Sequence, residues 1–112
     1  MEVVQGGGVK VWLDDERPAP DGWLRAYSAP QAIDMLEKFR VLEISLDHDL
    51  GNEHAMTGYD VLTWIESRLA DGEIKAAPRI HIHTANPAAR PRMIAARDSI
   101  ERLQRMIDGA HE

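Results

Sequence analysis

Three short apolar runs in this chain end alike. Residues 9–13, 41–46 and 79–83 are each closed at once by side chains able to do chemistry: Asp14 and Asp15, then Asp47-His48-Asp49, then Thr84-Ala85-Asn86. Runs of this length, rich in Val, Ile and Leu, read as strands. The segments between the later runs place apolar residues at helical offsets, and such alternation specifies an α/β domain on a mostly parallel sheet. The carboxyl ends of parallel strands converge on one crevice, so polar groups distant in sequence become neighbours there. Carboxylates gathered in that way repel one another unless a cation sits among them.

The chain divides further at its breakers. Asp14 and Asp15 end the first strand, and Arg17-Pro18-Ala19-Pro20-Asp21-Gly22 is a loop. Residues 23–27 read as a short second strand, after which Ser28 opens a helix through a Ser-x-x-Gln capping box to Gln31. The apolar face of that helix is Ala32, Leu36 and Phe39, flanked by Ile33 and Met35. A third strand at 41–46 leads through a loop to Thr57, the expected N-cap of a helix whose stripe is Val61, Leu62, Ile65 and Leu69 and which stops at Asp71-Gly72. The fourth strand is 79–83, and a last helix is expected from about Pro91, carrying Met93, Ile100, Leu103 and Ile107. Pro91 argues against a start before Arg90.

The expected architecture is therefore a small flavodoxin-like sheet of about four strands with about three helices, as one domain over residues 9–107 between a flexible lead-in (1–8) and a tail (108–112). Residues 15–22 are too few for a helical crossover between parallel strands, so the first crossover helix is missing. One sheet face is then left open, or is covered by Trp12, Trp23 or a partner. That face is a candidate surface for a homodimer or another protein.

With 112 residues the chain holds one modest core. Nineteen acidic against 13 basic residues give a formal net charge of −6, which disfavours non-specific binding to nucleic acid or an anionic membrane. The charge is uneven, because residues 75–112 hold 7 basic and only 4 acidic groups. A phosphate would have to be held locally, with the C-terminal third facing it. There is no cysteine, no apolar run long enough to span a bilayer and no signal-peptide pattern, so a cytoplasmic location is expected. Gly6-Gly7-Gly8 reads as a lead-in or cloning remnant rather than a phosphate loop, since no Gly-Lys-Ser/Thr follows.

Asp14, Asp15 and Asp47 offer the hard oxygen donors that suit magnesium or manganese completed by water and a substrate phosphate. Asp49 shares the direction of Asp47 only if the backbone stays extended, and His48 between them is read as a structural or supporting residue. Asp47 is either a nucleophile toward phosphorus or a ligand. His81 and His83 share one strand face; His81 is expected to be buried and hydrogen-bonded, and His83 to be an acid, a base or a metal ligand. The Thr84 hydroxyl is a donor for a phosphoryl oxygen, Asn86 a helix cap or substrate contact, and Arg17, Arg90 and Arg92 candidate phosphate contacts. Trp12 and Trp64 are expected in the core, while Trp23, beside the acidic site, is a candidate to stack a base.

An acidic pair after strand one, an aspartate after strand three, a Thr-Gly-Tyr-Asp helix entry and Thr-Ala after strand four resemble the receiver domain of two-component response regulators. The resemblance implies that Asp14 and Asp15 bind magnesium, that Asp47 accepts a phosphoryl group, that the backbone of Asp49 joins the metal and that Thr84 supplies the switch hydroxyl. No fifth strand and no lysine of the ordinary receiver pattern follow. The motifs Trp-Leu-Asp-Asp-Glu-Arg-Pro, Leu-Asp-His-Asp-Leu-Gly and His-Thr-Ala-Asn-Pro are more similar to the compact branch of cyclic-phosphate-processing receiver domains. That likeness implies a divalent-metal-dependent hydrolysis of the cyclic phosphate of a nucleotide or RNA end. The alternatives are a signalling receiver phosphorylated on Asp47 and a non-catalytic module that binds a phosphorylated ligand or a protein.

Overall fold

The structure is a computed structural model that describes residues 7–50 and 56–110. Strand β1 spans Val9–Leu13, β2 Leu24–Ala26, β3 Val41–Leu46 and β4 Arg79–Ile82; helix α1 spans Ala29–Lys38, α2 Gly58–Ala70 and α3 Ala89–Ala110. The four strands are parallel and ordered β2-β1-β3-β4, with β1 and β3 central. This is the small receiver-like α/β fold read from the sequence, with no helix between β1 and β2. Gly6 and most of the expected lead-in, residues 51–55 of the loop before α2, and the last two residues lie outside the described residues.

Parity along the strands sorts the two sheet faces. Val9, Val11 and Leu13 of β1, Ile44 and Leu46 of β3 and Ile80 of β4 are buried beneath the helices. There they meet Ala29 and Ala32 of α1, Val61, Leu62, Ile65 and Leu69 of α2, and Met93 and Ile100 of α3, in one core. The alternate residues form rows across the other face. Lys10, Glu43 and Arg79 are register partners in one row, and Arg25, Trp12, Ser45 and His81 in the next. No described helix lies over them, because the crossover that would carry one is the short loop after β1. Trp12 was expected in the core, but it has the parity of Lys10 and is only half-buried on the open face. Trp64, by contrast, packs against the core as expected, half-buried, with the Arg68 guanidinium 5.1 Å above its ring.

Two helix entries depart from expectation in instructive ways. At α1 the Ser28 Oγ accepts the Gln31 N–H at 3.2 Å, but the Gln31 side chain accepts from Tyr27, one residue before the cap. Helix α3 starts at Ala89 rather than near Pro91. The Asn86 side-chain oxygen caps it, accepting the N–H groups of Ala88 and Ala89 at 2.9 and 3.0 Å. Pro91 is tolerated two residues into the helix because N–H groups of a first turn have no intrahelical acceptor to lose. The helix continues through Ala110, so residues 108–110, expected as tail, are helical. No described helix is long and apolar enough to cross a membrane.

Candidate functional site at the carboxyl edge of the sheet

Beyond the strand ends the backbone pairing persists for one more residue. The N–H of Asp14 donates to Ala26, that of Asp47 to Leu13 and that of His83 to Leu46, at 3.0 to 3.1 Å. Leu13, Leu46 and Ile82 are register partners facing the helices, so the residues that follow them turn together toward the open side. The result is a cluster of Asp14, Asp47 and His83, from three strands, whose potential ligand atoms all lie within 4.8 Å of one another.

Asp14 is fully buried and densely bonded. Its Oδ1 accepts the N–H groups of Glu16 and Arg17, each at 2.8 Å, and its Oδ2 stands 3.1 Å from His83 Nε2 and 3.2 Å from Arg17 Nε. Burial pushes its carboxyl up, but the two backbone donors, with His83 and Arg17, outweigh that and hold it below the ordinary 3.8. It stays ionised at neutral pH. Asp47 is largely buried and takes the His48 N–H at 2.8 Å.

His83 is fixed on three sides. Its Nε2 faces Asp14, its Nδ1 is 2.7 Å from Ser45 Oγ, and its ring stacks on Trp12 at 3.9 Å with an interplanar angle of 3°. Burial lowers its pKa below 6.5 against the opposing pull of Asp14, so the ring is neutral near pH 7. A histidine of this kind can turn one nitrogen to a cation while the other is held by a neighbour, the usual arrangement at metal centres. Ser45 was not singled out from the sequence. Its one signal was its position as a small polar residue two before Asp47 in an otherwise apolar strand end.

The other expected site residues surround this cluster without all joining it. The carboxylates of Asp15 and Asp49 are not among the clustered groups. Asp49 is exposed and tied to His48 Nδ1 at 2.9 Å and to Asn86 Nδ2 at 3.1 Å, which lower its pKa. Asn86 thus does two jobs, capping α3 and holding Asp49. Thr84 is buried, and its Oγ1 accepts the Asn86 N–H at 3.1 Å, leaving its own proton to donate. Arg17 reaches the His83 carbonyl and Arg90 the Ile82 carbonyl, each at 3.2 Å, so both guanidinium groups border the cluster. Arg92 instead lies 5.5 Å above the Tyr59 ring. His81, expected to be buried, is exposed on the open face, where its Nε2 meets Glu43 at 2.8 Å.

A cleft of about 340 Å³ lined by Leu69, Gly72, Ile74 and Ile107 sits at the C-terminal ends of α2 and α3, away from the cluster. The family model described as the cyclic-phosphate processing Receiver domain matches residues 9–99. No curated protein and no solved structure matches the chain.

Proposed function

The chain belongs to the family of cyclic-phosphate processing Receiver domains, and from that premise we propose that it opens a cyclic phosphate by metal-dependent hydrolysis at the Asp14, Asp47 and His83 edge. The observation that carries the proposal is the convergence of two carboxylates and a neutral imidazole from three strands within 4.8 Å. The donor set fits a divalent cation, since two carboxylates and an imidazole each offer a ligand atom within 4.8 Å of the others. Asp14, Asp47 and His83 would hold the ion, and the imidazole nitrogen favours manganese over magnesium. Such an ion supplies Lewis acidity toward phosphoryl oxygens and acidifies water.

The remaining work falls to the chain. With one nitrogen toward the cluster and the other at Ser45, His83 acts as a ligand rather than as a free acid or base. Arg17 and Arg90, whose guanidinium groups reach the His83 and Ile82 carbonyls, would clamp the phosphoryl group, and the Thr84 hydroxyl would donate to one of its oxygens. In the reaction, water adds to phosphorus, one ring P–O ester bond breaks, and the departing alkoxide takes a proton to give a monoester. A second reading, a receiver phosphorylated on Asp47, is favoured by the position of Asp47 and Thr84 at the ends of β3 and β4.

A phosphorus NMR time course tests both. With manganese or magnesium, a 2',3'-cyclic nucleotide and acetyl phosphate are offered together to the wild type and to Asp47→Ala. The expected result is loss of the cyclic resonance with wild type alone. Selective consumption of acetyl phosphate would move the assignment to the phospho-acceptor, and two unchanged resonances would overturn both.

A further inference from the structure

The open face of the sheet is tiled with rings. Trp23 meets Trp12 edge-on at 6.2 Å and His81 edge-on at 6.2 Å, and Trp12 stacks on His83, itself a member of the acidic cluster. The tile is therefore continuous with the site. All four residues keep some exposure to solvent, and no described helix covers them.

The chemistry of this face selects its occupant. Its two register rows contain no aliphatic side chain, only Lys10, Glu43 and Arg79 in one and Arg25, Trp12, Ser45 and His81 in the other. The buried centre of an interface between protein copies is depleted of charged residues, whereas one of these two rows is charged throughout. In a chain of net charge −6, these two rows carry Lys10, Arg25 and Arg79 against the one carboxylate of Glu43, with Asp14 and Asp47 at the edge beyond them. The Lys10 ammonium lies 5.6 Å over the Trp23 ring, and the Arg25 guanidinium 4.3 Å over Tyr27. Rings interleaved with cations are the recognition elements for bases and backbone of single-stranded nucleic acid.

We propose that the helix-free sheet face is a nucleobase platform, on which the base of a nucleotide or single-stranded RNA end stacks at Trp12 and Trp23 while its phosphate reaches the Asp14, Asp47 and His83 edge. The proposal deepens the hydrolase reading and rests on it for the placement of the phosphate. It gives the base of such a substrate a place, on the rings of Trp12 and Trp23.

The chain contains three tryptophans, and they supply an internal control. In a proton–nitrogen correlation spectrum of the full chain, the probes are adenosine, 2',3'-cyclic AMP and glycerol 1,2-cyclic phosphate. Adenosine and the cyclic nucleotide are expected to move the indole signals of Trp12 and Trp23 and to leave that of Trp64, on α2, in place. Trp23→Leu should weaken cyclic-nucleotide binding by about 5- to 150-fold, the range for one stacked base. Trp23→Phe, which keeps a ring, should restore most of the loss and excludes misfolding as its cause. Stacking without turnover of any cyclic phosphate would leave the platform standing and remove the hydrolase. Equal affinity for the base-free phosphate, with Trp12 and Trp23 unmoved, would remove the platform and leave the hydrolase. Sedimentation showing a dimer that buries Trp23 would overturn the platform in favour of a second copy.

Discussion

Asp14 collects four donor groups on one buried carboxylate, and this density makes the site sensitive to acid. His83 beside it is held below 6.5 by burial, so the unfolded chain takes up that proton first as pH falls. Stability is therefore unaffected by His83 above about 6.5, declines from there down to its folded pKa, and levels off beneath. Asp14, also depressed, adds a second loss as pH drops below about 3.8 and through its own folded value. In the metal-free protein, the imidazole nitrogen resonances of His83 should titrate with a midpoint under 6.5, and thermal midpoints should fall between pH 7 and pH 5. A midpoint above 6.5 would mean that Asp14, not burial, governs the ring. At this scale the sequence was informative where a residue closes a strand, which is how Asp14, Asp47, His83 and Thr84 could be named. It was silent on Ser45 and on the Trp12 stack, because both depend on the register between strands, which no single strand encodes.

Helix α2 is anchored at its first turn by close contact as well as by its cap. Thr57 donates its N–H to Asp60 Oδ2 at 2.7 Å, and the following Gly58 has no room for a side chain, since a Cβ there would overlap the Asp47 carbonyl and crowd Met93. The helix entry thus presses on the backbone of the residue that supplies the central carboxylate. Gly58→Ala is expected to cost about 1–3 kcal/mol in urea unfolding, the range for overpacking a tight site, and to displace Asp47. An unchanged midpoint would show that the helix can retreat freely. The stripes of α1 and α2 were legible from helical periodicity because each packs one face on the sheet. The start of α3 was not, because the capping power of Asn86 outweighed the warning of Pro91. His81 was misjudged for a related reason: parity shows which residues share a face, not which face meets the helices.

At the scale of the whole molecule, the described residues form two layers, one of sheet and one of helices. The missing crossover was read from the shortness of residues 15–22, and the structure adds its consequence, that Trp12 and Ser45 of the bare face meet His83 of the acidic edge. A cation bound there would tie β1, β3 and β4 together and stabilise only the folded chain. Manganese at about one hundred times its dissociation constant should add about 2.7 kcal/mol, visible as a raised thermal midpoint that Asp47→Ala abolishes. A midpoint indifferent to every divalent ion would empty the site of its metal. The sheet also ends in short margins, three residues in β2 and four in β4. A foreign strand annealing to either margin gains too few main-chain bonds to hold, so this half-naked sheet is protected from runaway polymerisation by brevity rather than by cover.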